Sequence, residues 1–203
     1  MVDQVRHRFV NVTPESGQVI TTAVAKLWVG IASAETGFDT QIDSLIDAAT
    51  KYVQTQTGYQ LLVRTDDYYL DRFPECGKPI YLPMWPADVT TVKYMATGVL
   101  TTMTASEYIL SGTDFFPPTI SLAYETSAWP EEDREAKSVE IRLVSGYATV
   151  GAIPENIITA IKMIVSSWFN NRETVGVTSM SIVPMGAQAI LDSIKIGEAY
   201  LEL

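Results

Sequence analysis

The chain has 203 residues, and 47% of them are hydrophobic, which is enough to build a core and excludes a disordered protein. Charged residues make up 19%, below the roughly 25% of ordinary globular domains, as suits a subunit that hides surface against neighbours. The net charge is −10, and the 14 Lys and Arg residues are scattered, which argues against tight binding to DNA or RNA.

The sequence contains few features that indicate a cellular compartment. Cys76 is the single cysteine, so no intrachain disulfide can form, which fits a reducing cytoplasm. The first residues lack the charged-then-apolar pattern of a signal peptide. The longest apolar stretch, residues 157–169, is interrupted by Lys162 and two serines, so it is too short and too polar to cross a bilayer. We therefore expect no membrane partner.

Two elements are predicted before residue 40. Residues 5–12 alternate weakly and predict a short strand. Thr21 or Thr22 is placed to cap a short helix that runs to Val29. We expect Leu27 and Trp28 to lie on the buried side of that helix.

A strong amphipathic helix is predicted over residues 40–57. Asp39 or Thr40 can accept the free N–H groups of its first turn, and Gly58 can supply the left-handed residue that ends it. Its apolar positions recur at helical spacing: Ile42, Leu45, Ile46, Ala49 and Val53.

From residue 60 to residue 144 the pattern changes to strands. Runs rich in Val, Ile, Thr and Tyr alternate with Pro, Gly and Asp turns. The predicted strands are residues 61–70, 79–82, 89–95, 108–110, 119–124 and 139–144.

A second strong helix begins at Pro154 and ends near Arg172, with a wide stripe of isoleucines that needs a partner such as the helix over 40–57. Residues 175–184 lack periodicity, and residues 187–196 predict a short helix. The predicted class is therefore α+β: a small helical bundle of two main amphipathic helices plus short helices, with a β-rich insertion between them. The predicted division assigns 1–59 and 145–174 to the helical core, 60–144 to the insertion and 175–203 to a C-terminal tail.

No catalytic, cofactor or metal site is predicted. His7 is the single histidine and has no motif partner, and Cys76 lies in a turn without a converging base. Two acidic groups lack the spacing of a calcium loop, and we interpret Asp67 and Asp71 as part of a solvated face. These groups are Asp66, Asp67 and Asp71, and Glu131, Glu132 and Asp133. We therefore predict that the protein is not an enzyme.

The dispersed aromatic residues favour core and turn packing, although a platform for stacking sugars stays open as an alternative. These residues are Tyr68, Tyr69, Trp85, Tyr94, Tyr124, Trp129 and Trp168. On that alternative the chain is a β-rich carbohydrate-binding module.

From residue 14 to residue 191, the order of several short motifs resembles the head–tail connector (adaptor) proteins of long-tailed phages and prophages. The most specific part is Gly146-Tyr147, then Ile153-Pro154, then a helix that closes with Trp168-Phe169-Asn170-Asn171-Arg172-Glu173. The other pieces are Thr21 to Lys26, the helix over 39–58 with its Thr57-Gly58 stop, Leu82-Pro83 with Pro86, Val89, Val92 and Tyr94, and Val183-Pro184-Met185-Gly186. Two departures are Val24, where the family often has glutamate, and the residues after Leu191, which run past the family's expected end.

The resemblance implies a homo-oligomeric ring, usually twelve-fold, beneath the portal protein in the virion neck, with DNA passing through its lumen. It also implies assembly in the host cytoplasm and contact with a head-closure or tail-completion protein. The C-terminal segment would grip the portal through anchors that are buried only in the complex: Ile182, Val183, Met185, Ile190, Leu191 and Ile194. A role as the head-closure or tail-completion protein itself stays open. We expect the acidic surface to let DNA slide without sticking.

Overall fold

The computed structural model describes residues 7–82, 84–111, 118–124, 126, 128–133, 135–171 and 183–195. The described part is α+β, as predicted, with four α-helices and two antiparallel sheets. The chain divides into two compact units: a helical unit within Gly17–Leu62 and Tyr147–Gly197, and a β unit formed mainly by Val63–Gly146 and the strand that precedes residue 17.

The helical unit contains α1 (Thr22–Val29), α2 (Asp39–Thr57), α3 (Glu155–Asn170) and α4 (Met185–Ile194), together with a short 3-10 helix at Val150–Ala152. Helix α3 contacts the other three helices. The buried residues at the centre of this unit come from all four helices and from the chain around them. They are Val19, Ile20, Ala25, Ile42, Ile46, Ala49, Val53, Leu61, Ile153, Ile157, Ile158, Ala160, Ile161, Ile164, Val165, Val183, Ala187 and Leu191.

Helix α2 follows its predicted pattern along most of its length. Ile42, Ile46, Ala49 and Val53 are all buried, since their spacing places them on one face. Gly58 ends the helix in the left-handed conformation with φ 79°, and its N–H donates to the Gln54 carbonyl. The predicted side-chain cap by Asp39 or Thr40 is wrong. Phe38 occupies the N-cap and makes no capping hydrogen bond, because Asp39 already lies inside the helix.

The β unit holds a five-stranded sheet in the order β1-β2-β8-β4-β5 and a three-stranded sheet in the order β3-β7-β6. The strands are β1 (His7–Thr13), β2 (Arg64–Leu70), β3 (Ile80–Tyr81), β4 (Ala87–Ala96), β5 (Val99–Thr102), β6 (Tyr108–Ser111), β7 (Thr119–Leu122) and β8 (Val139–Ser145). A 3-10 helix lies at Glu75–Gly77. Strand β5 was not predicted, because it falls between the predicted strands over residues 89–95 and 108–110.

The core of the β unit draws on both sheets. Tyr68 of β2 pairs with Ile141 of β8, and Ile141 pairs with Val92 of β4, so these side chains share one face of the large sheet. Ile80 and Ile120, a register pair of the small sheet, belong to the same buried cluster. The two sheets therefore bury their apolar faces in one core.

Two segments lie in units other than those predicted for them. Strand β1 pairs with β2 in register from His7 opposite Leu70, so it belongs to the β unit and not to the helical core. Helix α4 packs on α3 and α2, so this part of the predicted 175–203 tail belongs to the helical unit. In both cases the deciding contacts join residues far apart in the chain, which local patterns do not reveal.

Candidate interaction surfaces

Helix α4 carries four of the six predicted portal anchors, Val183 lies just before it, and the structure buries Val183 and Leu191 within their own subunit. Val183 is buried and Leu191 is 1% exposed, and both lie in the core of the helical unit with Ala187. The expectation that these residues become buried only on a partner is therefore wrong for Val183 and Leu191. The apolar stripe of α4 already has a partner in α3.

The remaining predicted anchors differ in exposure. Ile190 and Ile194 are partly buried against the same core. Met185, in the first turn of α4, is 84% exposed. Ile182 lies outside the described residues. Met185 is thus the predicted anchor in the described chain that is most available to another molecule, and the portal contact itself stays a prediction.

Helix α1 is folded with its polarity reversed. Its exposed residues are Ala23, Val24, Leu27 and Trp28, all apolar, whereas its charged residue Lys26 is only 3% exposed. Leu27 is 74% exposed, so the prediction that it and Trp28 face the core is wrong. An ordinary surface helix shows the opposite arrangement, with apolar residues inside and charge outside.

Several polar contacts hold α1 in this orientation. The Lys26 ammonium forms an ion pair with Asp39 at the start of α2 and donates to the Ser33 carbonyl at 3.3 Å. The Thr22 hydroxyl donates to the Asp43 carboxylate of α2 at 2.5 Å. The inward direction of Lys26 therefore fixes which side of the helix faces outward.

Helix α3 contacts the Trp28 region directly. The Lys162 ammonium lies 5.8 Å from the centre of the Trp28 ring, and the Ser166 hydroxyl donates to the Trp28 carbonyl at 3.3 Å. Lys162 also pairs with Glu155 at 3.0 Å. The cation–π contact lies on the indole ring and leaves 45% of the residue exposed.

One face of the five-stranded sheet carries a network of ion pairs. Arg142 of β8 donates to both carboxylate oxygens of Asp67 on β2, at 2.8 and 2.9 Å. Lys93 of β4 pairs with Glu140 of β8 at 3.3 Å, and the Tyr69 hydroxyl donates to Glu140 at 3.3 Å. Asp67 raises the pKa of Arg142 in two ways. The hydrogen bond between the two side chains has the larger effect, and the attraction between their charges adds to it.

Two members of the first acidic group, Asp66 and Asp67, are paired with arginines inside the fold. Asp66 is fully buried and accepts two hydrogen bonds from Arg64, at 2.5 and 2.7 Å, and one from Asn11 at 3.0 Å. Asp67 is buried as well, so the interpretation of it as solvated is wrong. The Asp71 carboxylate accepts from the Lys137 backbone N–H at 3.0 Å. Asp66 and Asp67 therefore link β2 to its neighbours β1 and β8, through Asn11 and Arg142.

Most of the aromatic residues named above lie in the interior or at its margin. Tyr68 and Trp129 are buried; burial raises the pKa of Tyr68 to about 12, and the Trp129 ring stacks on Phe73 at 5.0 Å. Tyr124, by contrast, is fully exposed. These positions provide packing rather than the shared flat face that a sugar platform requires.

Other candidate chemistry finds little support in the described residues. Cys76 is exposed in the turn at Glu75–Gly77. Across the described ranges, no group of three or more His, Cys, Asp and Glu side chains is placed to hold a metal ion. Of the helices above, none has the length and apolar character needed to cross a membrane.

Similarity to known proteins lies in the fold. A chain in the neck of an empty gene transfer agent particle, computed with C6 symmetry, is 21% identical with a TM-score of 0.76, covering 94% of this chain and 96% of that one. A chain from the virion of a native gene transfer agent particle is 22% identical with a TM-score of 0.75 and the same coverage. A chain in the neck of the native particle, computed with C12 symmetry, is 22% identical with a TM-score of 0.67, covering 92% and 96%.

No family model matches the chain, and no curated protein matches its sequence. The similarity extends along nearly the full length of both partners in each structural pair. The predicted resemblance to a neck protein is therefore confirmed at the level of the fold, which is shared with chains from the neck of a gene transfer agent particle.

Proposed function

We propose that this chain is a structural subunit of the neck of a tailed phage or phage-like particle. The observation that carries the proposal is the fold match over 94% of the chain to a chain in a particle neck. The ordered motifs that resemble connector proteins support it independently, because they are properties of the amino-acid sequence and not of the fold. A non-catalytic role accords with the paired, buried carboxylates of the β unit.

Within the neck, the proposed role is that of the head–tail connector, or adaptor, subunit. Copies of the chain form a ring beneath the portal, twelve-fold in the proposed form, and the genome passes through the lumen. The C12 and C6 symmetries of the similar neck structures support a ring. In this proposal the Val63–Gly146 part of the β unit is an insertion into the helical core, and Met185 belongs to the portal contact.

Partner binding tests the role. The tagged full-length chain is mixed with the portal ring, and separately with the tail terminator, encoded by the same genome. Capture of portal, with twelve copies of the chain per portal ring by native mass spectrometry, is the expected result. Capture of tail terminator alone would assign the chain to head closure or tail completion, and capture of neither would overturn the neck role.

A second part of the proposal concerns DNA. The chain carries a net charge of −10, and its exposed carboxylates include Glu35, Asp47 and Asp88. Like charge on the conduit wall and on the phosphates lets DNA slide without being held. Titration with duplex DNA at low salt is expected to show no binding. Micromolar affinity that weakens as salt rises would contradict it, because that dependence marks contacts between basic groups and phosphates.

A further inference from the structure

The reversed polarity of α1 leaves apolar side chains exposed on the described part of the chain. Val24, Leu27 and Trp28 recur at i, i+3 and i+4, so they form one continuous stripe along the helix. We call this set the α1 stripe. Contiguous exposed apolar side chains, unlike single scattered ones, indicate a place where another molecule binds. A local pattern that conflicts with the fold is also expected at a functional site.

The charge of the α1 stripe narrows the choice of partner. None of the exposed residues of α1 carries a charge, although the chain as a whole has a net charge of −10. A nucleic acid would require several basic side chains at this surface, whereas the neighbouring Lys162 is paired with Glu155 at 3.0 Å. Two copies of an acidic chain repel each other over most of their surfaces, but they meet without that repulsion at an uncharged apolar stripe.

Trp28 is already contacted by α3. The Lys162 ammonium lies 5.8 Å from the centre of its indole ring, which reduces the side-chain freedom that Trp28 loses on association. Tryptophan is also among the residues that most often dominate protein interfaces. Lys26 and Asp39 keep the stripe outward before any partner arrives.

We propose that the α1 stripe is the surface through which each copy of this chain contacts the next copy around the ring. The inference rests on the proposed function, which supplies a ring. In a closed ring every copy has two like neighbours and joins them through two different faces. The stripe is one of these faces, and it packs against a different surface of the adjacent copy.

Photo-crosslinking identifies the partner in the assembled particle. Leu27→benzoylphenylalanine is introduced into the full chain, and particles that contain it are irradiated. A covalent dimer of this chain is expected at high yield. The matched control is Val99→benzoylphenylalanine, since Val99 is 62% exposed on β5 of the other unit, and it should give at least ten-fold less dimer. Crosslinks from position 27 to portal or to another virion protein would overturn the proposal.

Two glutamate variants test whether the contact is required. Leu27→Glu adds a negative charge to the stripe and should reduce the number of ring-assembled copies on portal at least ten-fold, while Val99→Glu leaves it unchanged. Circular dichroism should show both variants folded, because both positions are exposed. Normal rings of Leu27→Glu would overturn the proposal while leaving the neck role intact. Absence of the wild-type chain from portal and particle would overturn the neck role and, with it, this inference.

Discussion

Helices α1 and α3 belong to the same unit, yet they treat apolar residues in opposite ways. Helix α3 buries Ile157, Ile161 and Ile164, whereas α1 exposes Leu27 and Trp28. Helix α3 contacts three other helices of its own chain. The difference teaches that an apolar stripe indicates a partner but does not indicate whether the partner lies in the same molecule.

The two helices also differ in how their orientation is set. Apolar burial alone explains α3, because its stripe fills the core of the helical unit. The orientation of α1 depends on a buried charge, since Lys26 reaches inward to Asp39 and to the Ser33 carbonyl. If this contrast is correct, substitutions in the two helices should differ greatly in their effect on folding.

The largest effect is expected in α3. Ile161→Ala should lower the free energy of unfolding by about 4 kcal/mol, because it leaves a cavity at a fully buried position. Urea denaturation followed by circular dichroism measures this change. A loss below about 1 kcal/mol would show that the core of the helical unit repacks easily, and the contrast with α1 would then disappear.

A slightly smaller effect is expected in α4, which the sequence pattern presented as a loose tail. Leu191→Ala should cost about 3 kcal/mol, since Leu191 is buried among core residues of the helical unit. Ile190→Ala, at a partly buried neighbour, provides the matched comparison and should cost less. Equal and negligible losses at both positions would mean that α4 is not part of the folded core in solution.

The ion pair behind α1 should contribute less again. Asp39→Asn leaves the Lys26 charge buried without its counterion and should cost about 2 kcal/mol. Adding Lys26→Met should recover much of the loss, because it removes the stranded charge and keeps an unbranched apolar side chain. If the double variant were less stable than Asp39→Asn alone, the ion pair would not be what orients the helix.

The smallest effect is expected at the outward side of α1. Leu27→Ala should change the free energy of unfolding of the isolated chain by less than about 0.5 kcal/mol, because Leu27 makes little use of the core. The same urea titration, run beside Ile161→Ala, makes the comparison direct. A loss of about 2 kcal/mol or more would place Leu27 in the core after all and would remove the basis for the α1 stripe.

Local patterns predicted the elements well where one signal dominated. The period of α2 and the glycine at its end gave that helix to within a residue, and Pro154 marked the start of α3. Strand β5 was missed because four residues rich in threonine carry little periodicity. The turn between β4 and β5 is stabilised by Asp133, whose carboxylate accepts hydrogen bonds from the backbone N–H groups of Thr97 and Gly98.

The candidate surfaces were predicted less well. The apolar residues of α4 were predicted to bind a partner, whereas Leu191 packs in the core of its own unit, because a short amphipathic helix has the same pattern whether it packs on its own chain or on another. The ion pair of Asp67 with Arg142 joins residues separated by 75 positions, and no sequence motif predicts this pair. The packing of α4 and the pairing of Asp67 both depend on which segments, far apart in the sequence, come into contact in the fold.

By itself, the sequence determined the α+β class, the extents of α2 and α3, and the resemblance to connector proteins, because helix periodicity, capping glycines and short ordered motifs are local properties of the chain. Tertiary structure alone decided that β1 completes the large sheet, that α4 closes the helical core, and that α1 turns Leu27 and Trp28 outward. The physical reason is that the direction of an apolar face depends on long-range partners and on where a single buried charge finds its counterion.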